Sequence, residues 1–130
     1  MTSHSEKQIA AEQFLAGLRN RDWEGMRTIM AENVFWTMPG NGVISGKDEG
    51  VDAVIGKAQT IVRYGMTFTL THIMIGQEGA ALSLHNIARR ADAVFDQDLV
   101  TVLRLEAGKV WAIDTYMSDV EMLNAFFVPL

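Results

Sequence analysis

One histidine stands where proton chemistry is possible. His72 lies in the segment FTLTHIM, where Phe68, Leu70 and Met74 alternate with threonines and predict a strand with one apolar face. A neutral imidazole on such a face can give or take a proton near pH 7, because its pKa lies close to that value. The pattern predicts that His72 is the acid or base of a buried site. The alternative is a core histidine with one hydrogen bond to a backbone carbonyl.

Asn86 is the second candidate for chemistry. A turn centred on Glu78 would pair position 72 with position 84, which makes Asn86 a diagonal neighbour of His72 on the same face. Its amide would orient a carbonyl group or a water molecule. His85 would point to the opposite face. A one-residue slip in register would exchange Asn86 and His85, so both assignments depend on the turn.

The last long strand presents the same choice between neighbours. Trp111, Ile113 and Thr115 share one face, whereas Asp114 lies on the other. Trp111, together with Phe14, Trp36 and Met38, is predicted to line a pocket or to belong to an ordinary core.

Helical periodicity predicts the elements that position these residues. Three helices are expected at about Ser5–Arg19, Trp23–Met30 and Asp48–Tyr64, and a short last helix is expected to end near Phe127. The predicted capping residues are Ser3 or Ser5 with Glu6 or Gln8, Asp22, the terminal glycine Gly65, and the pair Ser118 and Glu121.

Alternating patterns predict the strands Val34–Met38, Met66–Gly76, Ala80–Arg90, Asp98–Glu106 and Lys109–Met117. Turns are expected at Gln77-Glu78-Gly79 and Ala107-Gly108. Helices followed by antiparallel strands indicate an α+β fold with the helices on one face of a curved sheet.

Composition limits the function. The 130 residues suit one domain, spanning 1–130, and the net charge of −5 argues against a nucleic-acid partner. No apolar run is long enough for a membrane span and no signal peptide is visible, so a cytoplasmic protein is expected. There is no cysteine, no HxH or HExxH spacing and no GxGxxG or P-loop motif. We therefore expect neither a metal nor a cofactor.

The opposite face of the sheet is also apolar. Leu99, Val100, Val102 and Leu103 put apolar side chains on both faces of one strand. One face covers the pocket and the core, and the other needs a second cover. The prediction is a homodimer through the outer sheet face. The alternative is that the segment Asn124–Leu130 folds back over it.

Two segments carry a family resemblance that extends, in element order, over essentially the whole chain. They are FLAGLRNRDWEGMRTIMAENVFWTMPG, which spans Phe14–Gly40, and GKVWAIDTYMSDVEML near the end. They resemble the SnoaL-like polyketide cyclase and ketosteroid isomerase-like branch of the nuclear transport factor-like superfamily. The resemblance implies a cystatin-like α+β cone: a curved mixed or antiparallel sheet wrapped around a pocket, with three N-terminal helices and a short C-terminal one.

The resemblance also shows which catalytic sets are missing. Ketosteroid isomerases place a tyrosine donor at the position of Phe14, a carboxylate base at Met38 and a second donor at Thr101. Neither phenylalanine nor methionine can replace the lost group, so steroid isomerisation by that mechanism is not expected. Limonene epoxide hydrolases place an aspartate–arginine–aspartate set at Asn86, Ala88 and Thr115, which is lost as well.

Scytalone dehydratase offers a partial match. The segment TLTHIMIG resembles the strand that carries one of its catalytic histidines, and this match puts His72 at that place. Leu18 and Arg19 stand where its helix tyrosine and aspartate would be.

The resulting hypothesis is a pocket for a small hydrophobic, polyketide-like or aromatic molecule. Its predicted lining residues are Phe14, Leu18, Trp36, Met38, Thr101, Trp111, Ile113 and Thr115. The first reading is a cofactor-free cyclase, dehydratase or isomerase in which His72 and Asn86 are catalytic. The second is a non-catalytic dimer that binds the same ligand. The third is an accessory dimer without a ligand.

Overall fold

The computed structural model describes residues 2–130, which form four helices and one six-stranded sheet. In chain order the elements are α1 His4–Asn20, α2 Trp23–Thr28, β1 Met30–Met38, β2 Gly46–Glu49, α3 Val51–Arg63, β3 Thr67–Ile75, β4 Gly79–Arg90, β5 Ala93–Glu106, β6 Lys109–Met117 and α4 Val120–Phe126. The strand order is β2-β1-β6-β5-β4-β3; β1 and β6 are parallel and the other neighbours antiparallel. The predicted α+β class with a curved mixed sheet is confirmed. No helix within residues 2–130 has the length and hydrophobicity needed to cross a membrane.

Local signals set most helix ends as the sequence predicts. Ser3 caps α1 and forms a reciprocal capping box with Glu6. The Asp22 carboxylate caps α2 by accepting a hydrogen bond from the Gly25 N–H at 3.0 Å. Gly65, with a φ of 78°, follows the last residues of α3, where the left-handed conformation favours glycine.

The cap of the last helix differs from the prediction. Asp119, rather than Ser118, is the N-cap, and its carboxylate accepts from the Met122 N–H at 3.0 Å. The Ser118 hydroxyl instead donates to Gln97 Oε1 at 3.2 Å. The predicted capping box of Ser118 and Glu121 is therefore wrong, because a side chain on the preceding sheet competes for the serine.

Strand β2 was not predicted, and β1 and β5 begin earlier in the chain than predicted. Gly46–Glu49, expected as a loop and helix start, is the edge strand β2 paired with β1. α3 starts only after Gly50, whose N–H donates to the Val34 carbonyl at 2.7 Å. β5 starts at Ala93 because its antiparallel register with β4 is continuous along both strands.

A bulge in β3 decides which of its side chains face the core. Leu70 lies opposite Leu84, but His72 lies opposite Ser83, so β3 contains one extra residue between them. An extra residue reverses the in–out alternation beyond it. Ile73 and Ile75 therefore pack on the core, and His72 does not.

Candidate functional site

A small cavity of about 30 Å³ lies between the inner face of the sheet and the helices. It is lined by Phe14, Leu18, Trp36, Met38, Ile44, Ile61, Met66, Phe68, Leu84, Asn86, Phe95, Leu99, Thr101, Thr115, Met117 and Phe127. One water molecule needs about 10–15 Å³ on this measure, so the cavity has room for about two. In this conformation the pocket is nearly filled by its own side chains.

Seven of the predicted site residues lie on the wall of this cavity. They are Phe14, Leu18, Trp36, Met38, Asn86, Thr101 and Thr115. Their role in binding stays a prediction, but their convergence on one cavity gives that prediction a defined place. Three other predicted residues, His72, Trp111 and Ile113, do not line the cavity.

The predicted position of His72 is wrong. Its side chain is exposed and lies outside the cavity, on the far side of the β3 bulge. The expected pairing of position 72 with position 84 fails by one residue, so His72 and Asn86 do not share the inner face. The imidazole is thus in no position to exchange a proton with a molecule inside the cavity.

A second bulge, in β6, moves Trp111 out of the predicted pocket. Arg104 lies opposite Ala112 and Leu105 opposite Val110, which leaves Trp111 as the extra residue. Its side chain is 37% exposed, and its ring packs on Phe35 at a centroid distance of 6.1 Å. Ile113 is fully buried in the core, next to the cavity wall rather than in it.

Three buried polar side chains form a hydrogen-bonded chain along one wall. Trp36 Nε1 donates to Thr115 Oγ1 at 2.9 Å, and Thr115 Oγ1 lies 3.0 Å from Thr101 Oγ1. All three residues are at most 4% exposed. The Phe14 ring packs edge-on against Trp36 at a centroid distance of 5.4 Å. These hydrogen bonds therefore fix the position of the Trp36 indole, which forms part of the cavity wall.

Asn86 is the polar group on the wall that lacks a protein partner. It is 5% exposed, and its Oδ1 has no hydrogen-bond partner among residues 2–130. Gln97, opposite it on β5, has its amide engaged by Ser118 and Asp119. A buried carbonyl oxygen without a donor costs about 1–3 kcal/mol, so Asn86 marks a place where a ligand or water belongs.

Lys57 is a buried charge that the sequence reasoning missed. Its side chain is 1% exposed and pairs with Asp48 at 2.9 Å. Its Nζ also donates to the Trp36 carbonyl at 3.3 Å and to the Gly46 carbonyl at 3.0 Å, which ties α3 to β1 and β2. Burial lowers the pKa of Lys57. The sequence signal that could have revealed this buried lysine is its position next to Ala58, among the apolar residues that α3 buries.

His85 lies on the outer face of β4, as predicted for the register with Asn86 inside. Its Nδ1 contacts Asp98 Oδ1 at 2.6 Å and its Nε2 contacts Asp96 Oδ1 at 2.5 Å. These bonds, that to Asp98 first, raise the pKa of His85 above 6.5. The imidazole lies between two carboxylates, so this set is an ion-pair arrangement, and no group of side chains in the described part of the chain is placed to hold a metal ion.

The chain is similar in structure to proteins of the same general fold. A protein of unknown function with a cystatin-like fold from Xanthomonas campestris is 22% identical, with a TM-score of 0.84 over 99% of this chain and 100% of that one. An NTF2-like protein from Burkholderia xenovorans LB400 is 20% identical, with a TM-score of 0.81 over 98% and 99%. TerC, co-crystallised with polyporic acid, is 16% identical, with a TM-score of 0.79 over 93% and 98%. At these identities the likeness shows the fold alone.

The family of the protein is assigned from its sequence. No curated protein matches it, but the family model of the SnoaL-like domain matches residues 11–113. That match begins within α1 and ends within β6, and among the cavity-lining residues it leaves out Thr115, Met117 and Phe127. The chain belongs to the SnoaL-like domain family.

Proposed function

We propose that the protein binds a small, mainly apolar molecule with a hydroxyl group that donates to Asn86, and does so without acid–base catalysis. The observation that carries the proposal is the unpaired Oδ1 of Asn86 on an otherwise apolar wall. A ligand hydroxyl that donates to this oxygen removes the cost of leaving it buried and unpaired. The apolar body of the ligand would gain from leaving water.

The composition of the wall favours binding over proton transfer. Among the described residues that line the cavity there is no carboxylate, imidazole, amine or phenol. Asparagine and threonine orient a ligand but do not take up a proton near neutral pH. His72, the predicted acid or base, lies outside. Binding without turnover is therefore the simpler function for this set of side chains.

The size of the ligand depends on the mobility of the wall. The present volume of about 30 Å³ is too small for an aromatic ring, so binding requires side chains to move. Met38, Met66 and Met117 are on the wall, and methionine changes shape at low cost. TerC, which has a similar fold, was co-crystallised with polyporic acid, and this supports a small organic molecule as the ligand of this pocket.

The test compares two probes with the same apolar body, 3-phenylpropan-1-ol and propylbenzene, which differ only in the terminal hydroxyl. Their affinities for the wild-type protein and for Asn86→Leu are measured by calorimetric titration. We expect the ratio of alcohol affinity to hydrocarbon affinity to fall about tenfold in Asn86→Leu, the equivalent of about 1.4 kcal/mol for one lost hydrogen bond. The ratio cancels the different solubilities of the probes.

His72→Ala is the matched control, because it removes a polar side chain that lies near the same strands but outside the cavity. It should leave both affinities unchanged. If neither probe binds the wild-type protein, or if the ratio is the same in Asn86→Leu, the proposed function is wrong.

We further propose that a second copy of the chain covers the outer sheet face. Ile87, Val94, Trp111 and Tyr116 expose apolar surface there, between 37% and 60% of each side chain. The alternative cover, the C-terminal segment, packs elsewhere: Phe127 lines the cavity and accepts a backbone hydrogen bond from Val43 at 2.8 Å.

Sedimentation of two lysine variants tests the dimer. Ile87→Lys places a charge in the outer face, whereas Ile9→Lys makes the same change at an exposed residue of α1. We expect a dimer for the wild-type protein and for Ile9→Lys, and a monomer for Ile87→Lys. A monomeric wild-type protein would contradict this part of the proposal.

A further inference from the structure

A surface groove of about 400 Å³ adjoins the cavity. It is lined by Leu18, Arg19, Arg21, Val62, Gly65, Met66, Thr67 and Phe68. Leu18, Met66 and Phe68 also line the cavity, so these three residues, the shared wall, separate the two spaces. A ligand that passes the shared wall would have one end in the cavity and the other in the groove.

The groove carries a positive charge in a protein whose net charge is −5. Arg19 and Arg21 are the only charged side chains among the described residues that line it. The Arg19 Nε and Nη2 both donate to the Phe68 carbonyl, at 3.2 and 2.8 Å, which anchors the guanidinium at the shared wall. Neither arginine takes part in an ion pair within residues 2–130.

Arg21 occupies a strained backbone position. It is the C-cap of α1 with φ of 56° and ψ of 37°, a left-handed conformation that glycine or asparagine adopts at lower cost. This conformation ends α1, and the cap N–H donates to the Gly17 carbonyl. Beyond this turn the Arg21 side chain lines the groove, as the Arg19 side chain does.

Asn86 is a polar group of the cavity that adjoins the shared wall. It lies directly opposite Phe68 in the register of β3 and β4. The polar end of a bound ligand would therefore lie at the shared wall, with its apolar body towards Trp36 and the threonine hydroxyls. Asn86 would bind a neutral oxygen of the ligand just inside the shared wall, and Arg19 and Arg21 would bind a negative charge just outside it.

We infer that the ligand is an anion that carries a carboxylate in addition to the hydroxyl at Asn86, with the carboxylate held by Arg19 and Arg21 in the groove. This inference rests on the proposed binding function. A guanidinium presents parallel N–H donors that match a carboxylate, and charge-assisted bonds of this kind are about twice as strong as neutral ones. The groove is open to water, so the added affinity depends on salt.

The test uses 3-phenylpropanoate and 3-phenylpropan-1-ol, which share the same apolar body. The ratio of carboxylate affinity to alcohol affinity is measured by calorimetric titration at neutral pH. We expect this ratio to fall at least fivefold in both Arg19→Gln and Arg21→Gly, and to fall in the wild-type protein when sodium chloride is raised from about 50 to 500 mM. Arg21→Gly should also raise the melting temperature, because it relieves the left-handed strain.

Arg63→Gln is the matched control, since it removes an exposed arginine of α3 that lines neither the cavity nor the groove. It should leave the ratio unchanged. If the alcohol binds but the ratio is the same in all variants and salt conditions, the carboxylate inference is overturned and the proposed function stands. If neither probe binds, both fail. A ratio that falls equally in Arg63→Gln would reflect net charge and would also overturn the inference.

Discussion

Thr115→Val tests whether the buried hydroxyl chain holds the cavity wall in place. Thr115 Oγ1 accepts from Trp36 Nε1 at 2.9 Å and lies 3.0 Å from Thr101 Oγ1. Valine keeps the shape of threonine but removes both bonds, so that the indole N–H is left without this acceptor in a residue that is 2% exposed. A buried donor that loses its partner costs about 1–3 kcal/mol.

Thr101→Val is the matched control, because it makes the same chemical change on the neighbouring strand. It breaks the bond between the two hydroxyls but leaves Trp36 bonded to Thr115. Both substitutions bury a similar extra methyl group, so that gain cancels in the comparison. We expect Thr115→Val to lower the free energy of unfolding by about 1–2 kcal/mol more than Thr101→Val.

Urea unfolding followed by far-UV circular dichroism measures this difference. For a domain of this size it corresponds to a melting temperature lower by about 3–8 °C in Thr115→Val than in Thr101→Val. If the two variants unfold at the same urea concentration, the Trp36 N–H has another acceptor and the reasoning is refuted. The double variant should cost less than the sum of the single ones, since it leaves no threonine hydroxyl unpaired.

Two other predictions follow from the geometry, one about the pKa of His85 and one about two glycines. The pKa of His85, measured by NMR titration, should lie above 6.5 and fall more in Asp98→Asn than in Asp96→Asn; a fall in neither variant would contradict the assigned cause. Because the folded pKa is raised, the stabilisation by the imidazolium is complete below the unfolded pKa of about 6.5 and is lost as the pH rises through the folded pKa, which urea unfolding at several pH values measures. Gly79→Ala should destabilise the protein by about 1–3 kcal/mol, because the new Cβ would overlap a backbone carbonyl of β5, whereas Gly56→Ala in open space on α3 should stabilise it by about 0.5–1 kcal/mol. Melting temperatures that shift in the same direction would refute this pair.

Much of the fold could be predicted because its signals are local. A capping box such as Ser3 with Glu6, or an N-cap such as Asp22, acts within one helical turn and is visible in the sequence. Apolar spacing at three and four residues likewise marks a buried helix face wherever the helix packs. The helices therefore lie close to their predicted positions.

The strands show where local reasoning stops. In β3 the residues after the bulge, Ile73 and Met74, are both apolar, so the alternation looks equally regular with or without an extra residue. The pairing with β4 is what requires the bulge, and it moves His72 outward. The same ambiguity in β6 hid the outward position of Trp111.

Asn86 was predicted to face inward even though the pairing used to place it was wrong. Its register with β5 is continuous, and its neighbours Leu84 and Ala88 are buried on the same face. The alternation within β4 alone was sufficient, because this strand carries no bulge against β5. What the sequence could not show is that its carbonyl oxygen lacks a partner.

The sequence by itself determined the α+β class and the order of the helices and of every strand except β2, since these depend on short-range periodicity and capping, and it named seven of the sixteen residues of the cavity wall. The tertiary structure decided which polar groups meet. Strand register brings together residues far apart in the sequence, such as those of the Trp36–Thr115–Thr101 hydrogen-bonded chain and the partners of the buried Lys57. It also leaves the Asn86 carbonyl oxygen without a partner. A shift of one residue in that register exchanges the inner and outer faces of a strand. For this reason His72 lies outside the cavity, while Asn86 remains on its wall.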